Sequence, residues 1–515
     1  MNYADLFRIT LPETALEVAA LLVLVVDLGF LRKAALNICV TAAALIGIAG
    51  CVAALWAMQF QGQGGLSFDG TGEILLATGG SAAVAQTGIL VLTALAMLLV
   101  VGSIFTRHAG EFVAVMLMAA TGGLLIAAAQ DLLVIFIGLE LLSLGLYILT
   151  AFAKSSAKSA EAAIKYYLFG GMSAAFLLFG FSYLYGITGS TNLHRIMLAT
   201  NGWNVYHAAP MLYVSLVMIA AGLGFKVAAV PFHLWAPDTY DGAPNPAAAF
   251  IASVSKVASF ALLISIGTAA MHVFDGGRFA GSATVPFHTA PEPVYLGFLT
   301  PWSMILMVLS AASMMLGNLV ALAQRSVRRL LAYSAIAHAG YMLLALAFFS
   351  YSPLSANAVL YYVLTYGLTT VGAFGVVAIV ERATGSDQLD SFLGLHKRNP
   401  PLAAALLVLF LSLAGIPPLV GFWAKFNLFA AVLSVSAGPV PFALVALAMA
   451  MSAVSLYYYL QVLKRAYVMP AVDETPIKAH PVTMVLVVGI AVAVVVLGCF
   501  PALLSGWIAS FQAMM

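Results

Sequence analysis

Charge is scarce in this chain of 515 residues: Asp, Glu, Lys and Arg make up 8% of it, against 63% hydrophobic residues. That balance excludes a soluble multidomain protein and places the chain among polytopic membrane proteins. Acids and bases nearly cancel at a formal charge of +2, so nothing points to a nucleic-acid or acidic-substrate partner. Cysteine is almost absent. Cys39, Cys51 and Cys499 form no CxxC or CxxxC spacing and lie in apolar stretches. They cannot by themselves hold an iron–sulfur cluster or a zinc ion, and no disulfide framework is expected. No GxGxxG motif follows a strand: GLGFKV has two of the glycines and lacks the third, so no dinucleotide site is encoded. The first apolar run lacks the short basic leader of a cleavable signal and is read as a retained helix.

What is present is apolar sequence in segments of membrane-spanning length. Stretches of about 17–25 apolar residues predict about 14 helices, over 11–30, 35–60, 82–106, 110–129, 131–153, 164–187, 210–236, 243–272, 296–323, 327–350, 354–382, 402–434, 440–466 and 482–510. No stretch alternates like a barrel strand, and a helix satisfies its own backbone in lipid. If the helices alternate in direction, one set of loops carries nearly all the basic residues, among them Arg32, Lys33, Lys158, Arg328 and Lys464. The opposite set carries only Arg8, Arg195 and Arg278. The positive-inside rule then sets both termini away from the cytoplasm.

Two predicted spans are interrupted. The segment 210–236 contains Gly222, Gly224 and Pro231, and 402–434 contains Gly415, Pro417, Pro418 and Gly421. Proline removes a backbone donor and clashes with the preceding turn, and glycine tolerates the unwound geometry. These residues are also common in membrane helices for packing alone. Here each break lies close to a lysine, and paired broken helices indicate inverted repeats with sites near the membrane midplane. The expected organisation is a three-helix segment (1–106), a first five-helix repeat (107–272), a connecting loop (273–295), a second repeat (296–466) and a C-terminal helix (467–515).

Four ionisable residues stand out inside the apolar spans, Glu140, Lys226, Lys256 and Lys425, while Glu13, Glu17 and Asp27 of the first span form no matched set with lysines and stay unassigned. Each costs about 2.5–3.5 kcal/mol at the bilayer centre on insertion scales, so such residues usually face a polar interior and serve an ion or proton pathway. Glu140 and Lys226 are the natural ion pair. Unit charges ~4 Å apart interact by about 4 kcal/mol at an effective dielectric of ~20, so a pair that can separate is a proton switch, whereas a fixed one is only structural. Lys256, flanked by Ser253, Ser255 and Ser259, lies too deep in its span to snorkel, and the serines could support a water chain. Lys425 follows the second break. His233 lies seven residues after Lys226, two turns on if the helix continues, and His338 lies inside LLAYSAIAHAGYMLLAL. Either could relay protons or serve as a hydrogen-bonded core residue; a heme held by the two is possible on paper and disfavoured for want of further candidates. Asp238 and Asp241, in WAPDTYDGAPNP, are expected to cap the next helix.

GLGFKVAAVPFHLWAPDTYDGAPNPAAAFIASVSKVASF, LLAYSAIAHAGYMLLAL and LAGIPPLVGFWAKFNLF resemble the antiporter-like membrane subunits of respiratory complex I, the proton-translocating NADH–quinone oxidoreductase. The resemblance runs over most of 82–466. KSAEAAIKYYLFGGMSAAFLLFGFSYLYG, YSAIAHAGY and GFWAKF look most like the N-subunit branch of that family. The chain lacks the long lateral helix of the L-subunit branch, and Lys425 stands where the M-subunit branch carries a glutamate. The stretch 272–295 is longer than the usual connection.

This resemblance implies an all-α fold of 14 helices with two inverted five-helix repeats. It also implies a midplane proton relay of Glu140, Lys226, Lys256 and Lys425, bridged through water by His233 and His338. It implies no cofactor or metal in this chain: NADH, FMN, iron–sulfur clusters and quinone belong to partner subunits. The partners are then neighbouring membrane-arm subunits, in a bacterial inner membrane. The sequence also admits a subunit of a multi-subunit sodium/proton antiporter, or a scaffold subunit that carries no protons.

Overall fold

Asp131 divides the longest uninterrupted apolar stretch. Its side chain accepts a hydrogen bond from the backbone N–H of Leu133, 2.9 Å away, and so starts a new helix at Leu132. Ser156 and Ser326 cap their helices in the same way. In the computed structural model, described over residues 3–61, 64–67, 74–103, 105–201, 205–278, 299–349, 354–434, 438–471 and 475–512, these signals give an all-helical bundle with one small hairpin.

The N-terminal part comprises α1 (Tyr3–Ile9), α2 (Leu11–Val25), α3 (Leu36–Ala57), β1 (Gly64–Ser67), β2 (Ile74–Thr78) and α4 (Gly80–Val101). There follow α5 (Ala109–Ala128), α6 (Leu132–Thr150), α7 (Ala157–Thr188), α8 (Leu193–Asn201), α9 (Val205–Val227), α10 (Trp235–Gly242), α11 (Asn245–Phe250) and α12 (Lys256–Arg278). The second half holds α13 (Leu299–Ala321), α14 (Val327–Ala347), α15 (Leu354–Thr384), α16 (Leu395–Arg398), α17 (Pro400–Ala414), α18 (Val420–Leu433) and α19 (Pro439–Tyr467), and ends with α20 (Pro481–Cys499) and α21 (Ala502–Gln512).

Twelve of the described helices are long and apolar enough to cross a membrane. The other two expected spans exist in pieces: α2 runs into a π-helical turn over Val26–Phe30, and 402–434 divides into α17 and α18. The total of 14 therefore stands. The long expected connection at 273–295 falls largely on residues 279–298, which lie outside the described residues.

Three departures have local causes. The β1–β2 hairpin, antiparallel with Leu66 opposite Leu76, was not expected, because the segment is too short and glycine-rich to alternate clearly. The last span, expected as one helix over 482–510, stops at Cys499 because Pro501 cannot continue it, and restarts at Ala502. The span over 243–272 is continuous but contains a π-helical turn, Ile251–Ser255, immediately before Lys256.

Helices approach closely where glycine removes the side chain. A Cβ at Gly122 of α5 would lie 2.5 Å from the backbone nitrogen of Leu142 on α6, and one at Gly340 of α14 would lie 2.7 Å from that of Met314 on α13. Such contacts replace the hydrophobic drive that lipid cannot supply. The most enclosed elements are α11–α12, whose spanning window is wholly buried, and α14, at 94% buried. These helices carry Lys256 and His338.

Candidate proton relay

The first break begins at Ala228, which adopts a positive φ of 60°, and residues 228–234 run as turns before α10. A broken helix in an apolar bundle must place its freed N–H and C=O groups with partners. Here each has one. The N–H of Ala229 donates to Gly224 O at 2.7 Å, and that of Val230 to Ser313 Oγ at 2.9 Å. Trp235 Nε1 donates to Phe225 O at 2.9 Å, and Lys256 Nζ to Val227 O at 3.3 Å. One buried lysine thus closes the carbonyl end of the helix that carries the previous one.

Lys226 itself, 6% exposed, donates to Ser143 Oγ, and Ser143 in turn donates to Leu139 O on its own helix. Its ammonium lies 5.3 Å from the ring centre of Phe225 and 6.0 Å from that of Tyr147. Glu140 occupies the turn of α6 before Ser143, yet among the described residues the two make no ion pair within 4.0 Å. The direct contact expected between Glu140 and Lys226 is therefore replaced by a hydroxyl that takes the ammonium. Ser143 was not anticipated, although its spacing of three from Glu140 puts both on one helix face.

Lys256 is 2% exposed and also donates to Ala335 O at 2.6 Å. The serines beside it do not reach it: Ser253 Oγ donates to Ala249 O and Ser259 Oγ to Ser255 O. They satisfy their own helix, as serine commonly does, and the backbone carbonyls of α9 and α14 hold the lysine instead.

Ala335 lies one turn before His338 on α14. His338 Nδ1 is 2.7 Å from Tyr362 OH and Nε2 is 3.4 Å from Tyr459 OH; Tyr459 also bonds Ser334 Oγ. A cavity of about 10 Å³, lined among others by His338, Tyr362, Ser412, Gly421 and Ala424, adjoins the imidazole. That volume is of the order needed for one water. Lys425 lies beyond it. Its Nζ donates to Ala414 O and to Ser452 Oγ, both at 2.8 Å, and stands 5.3 Å from the Tyr341 ring centre. Ala414 is the last residue of α17, so the second break is closed by a lysine just as the first is. Gly415, at φ 89°, brings the chain so close that a Cβ there would lie 2.9 Å from Lys425 Cδ.

His233 is placed differently from expectation. The helix ends at Val227, so helical periodicity does not carry His233 onto the face of Lys226. It sits in the break, 7% exposed, with Nδ1 making no hydrogen bond.

Asp238 and Asp241 are likewise reassigned. The residue before α11 is Pro244, and no side chain caps that helix. Asp238 instead binds Lys165 of α7 at 2.8 Å and Arg329 of α14 at 2.7 Å, and Asp241 binds Lys158 at 2.7 Å. Burial pushes the Asp238 carboxyl up, but the hydrogen bonds from Lys165 and Arg329 outweigh it and hold the group below its ordinary range. Arg328 donates to Tyr240 O at 2.9 Å and pairs with Glu381 at 3.3 Å. The short α10, which joins the Lys226 break to the Lys256 helix, is thereby clamped between α7 and α14.

Among the described residues no group of three or more His, Cys, Asp or Glu side chains could hold a metal ion. The arrangement is suited to moving protons: a glutamate, a hydroxyl, three enclosed lysines, and a histidine between two tyrosine hydroxyls.

Residues 129–275 and 289–454 match the model of the family described as NADH:quinone oxidoreductase/Mrp antiporter, TM. The chain is 46% identical to NADH-quinone oxidoreductase subunit N 2 of Acidobacterium capsulatum, covering 99% of both sequences. It is similar to a chain of respiratory complex I from Thermus thermophilus at 32% identity and a TM-score of 0.75, covering 96% of this chain and 98% of that one. A chain of the Mrp complex of Dietzia, at 21% identity and a TM-score of 0.77, shares the fold over 97% of this chain and 51% of its own length. With full-length identity of this degree and both halves matched, the chain belongs to the antiporter-like membrane-subunit family of NADH:quinone oxidoreductase, in its subunit N branch.

Proposed function

We propose that the chain is a membrane-arm subunit of an NADH–quinone oxidoreductase and translocates protons across the membrane. The observation that carries this reading is the sequence of enclosed contacts from Lys226 on Ser143, through Lys256 on Val227 O and Ala335 O, to His338 and Lys425. In this reading quinone reduction in partner subunits sends an electrostatic disturbance through the arm. Glu140 then moves relative to Lys226, and the ammonium, held only by a neutral hydroxyl when the carboxylate withdraws, gives up its proton. Lys256 receives it beside the carbonyl end of the broken α9. His338 and Tyr459 carry it across, with room for a water, to Lys425, which releases it. His233 serves the first half from within the break.

NADH, FMN, iron–sulfur clusters and quinone belong to partner subunits, the two five-helix halves over 107–272 and 296–466 are inverted repeats, and both termini face the periplasm. The full-length identity to subunit N favours this over a sodium/proton antiporter subunit, because the likeness to the Mrp complex speaks for the fold alone. Lys226→Ala, with assembly of the whole complex verified, tests the reading: NADH-driven proton uptake into vesicles should fall strongly. Undiminished pumping in that variant would overturn it.

A further inference from the structure

Outside the line of lysines, α2 carries a second enclosed carboxyl. Glu13 is 6% exposed and Gln86, facing it from α4, is 1% exposed. Gln86 Nε2 donates to Glu13 Oε1 at 3.4 Å and to Leu124 O at 3.3 Å. The remaining oxygens of the two groups, Glu13 Oε2 and Gln86 Oε1, are both buried and have no hydrogen-bond donor. Two buried acceptors on hydrogen-bonded side chains, each without a donor, form an unstable arrangement if Glu13 is a carboxylate. Adding one proton to Glu13 supplies the missing donor. A carboxylic acid and a primary amide are complementary, each offering one donor and one acceptor on the same edge.

Among the described residues no cation stands in for that proton. Arg8, the basic residue of α1, donates to Phe60 O at 2.5 Å, and no described Lys, Arg or His forms an ion pair with Glu13. Two helices beside α2 bring no charge: α3 carries only Cys39 and Cys51 among titratable groups, and α4 carries none. On α5 the acid is Glu111, in the first turn, at the opposite end from Leu124, where His108 pairs with it at 3.0 Å and Asp27 packs on Gly110. Glu17, one turn along α2, is exposed and adds a further negative charge.

We propose that Glu13 and Gln86 form a proton-binding site in which Glu13 is held as a neutral carboxylic acid, donating from one oxygen to Gln86 Oε1 while Oε1 accepts from the amide. Release leaves a carboxylate facing the amide oxygen, and rebinding restores the pair; only a proton is exchanged. The site lies one helix from the relay. Gly88, two residues beyond Gln86, sits against Leu364 of α15 and, at 3.8 Å from its Cβ position, Val257, the neighbour of Lys256.

Infrared difference spectroscopy of the intact purified complex tests this. Wild type minus Glu13→Gln at pH 7 should show a carboxylic-acid C=O stretch that shifts in D2O, and wild type minus Glu17→Gln should not. In Gln86→Leu the band should move to higher frequency as the carbonyl loses its donor. Glu13→Gln should assemble normally, because an amide can still pair with Gln86. A carboxylate signature for Glu13 at pH 7, whether or not it responds to sodium, would overturn the proposal. So would a complex that assembles with Glu13→Asp but not with Glu13→Gln, since that would show a required negative charge.

Discussion

Lys256 Nζ lies 3.3 Å from the carbonyl oxygen of Val227, the last residue of α9 and the immediate neighbour of Lys226. A positively charged group at the carbonyl end of a helix is favourably placed against the backbone dipoles. The two lysines of the first half are therefore linked through the backbone of one residue, Val227, and a change in charge at either is felt by the backbone that positions the other. The second half repeats the device with a single residue, since Lys425 closes α17 and sits on α18.

Lys256→Met, which keeps the length and apolar stem, removes the donor to both Val227 O and Ala335 O. Hydrogen bonds to charged groups are worth about 1.5–3 kcal/mol each. The expected result is a complex that assembles with reduced thermal stability and does not pump, measured as proton uptake per NADH oxidised in reconstituted vesicles.

Ser143→Ala keeps Lys226 but removes its only hydrogen-bond acceptor among the described residues. Pumping should fall by about tenfold, the equivalent of roughly 1.4 kcal/mol, and less than in Lys226→Ala. Ser143→Thr should restore most of the activity, because it returns a hydroxyl at the same place. Equal activity in Ser143→Ala and wild type would assign the ammonium to some other partner during turnover.

Gly415→Ala and Gly385→Ala separate backbone strain from contact with a lysine. Both glycines have positive φ, 89° and 73°, so alanine costs about 1–2 kcal/mol at either. A Cβ at 415 meets Lys425 Cδ at 2.9 Å, whereas one at 385 meets nothing within 4 Å. Both variants should lose similar stability, and only Gly415→Ala should lose pumping.

Asp238→Asn should loosen the clamp on α10. The wild-type carboxyl is held below its ordinary value of 3.8, so its contribution is fully present above that pH and disappears as the pH falls through the lower folded-state value. At pH 7 the variant should melt lower by at most about 2–4 °C, since exposed ion pairs contribute about 0.2–1 kcal/mol. The gap should close in strong acid, as followed by thermal scans across pH.

The chain's lack of charge made the fold readable. Where 8% of residues are charged, each span is bounded by the cost of placing its flanks in lipid, and any lysine left inside stands out. Glu140, Lys226, Lys256, Lys425 and His338 were legible for that reason, and the breaks because proline and glycine interrupt helices by local geometry alone. The hydroxyl that holds Lys226 and the tyrosines beside His338 were not legible, since Ser and Tyr are common in helices of this composition. Asp238 and Asp241 were misread as caps because their partners, Lys158, Lys165 and Arg329, lie 73 to 91 residues away.

By itself, then, the sequence determined which segments cross the membrane, where two of them break, and which ionisable groups are trapped within, because those outcomes follow from local transfer and backbone energies. Tertiary structure alone decided what each trapped group touches. Lys226 turns to Ser143, Lys256 to a carbonyl freed by a break 29 residues earlier and to another on α14, and Glu13 to Gln86. In an apolar interior a buried donor must find an acceptor wherever the packing of helices brings one, and no spacing along the chain records that choice.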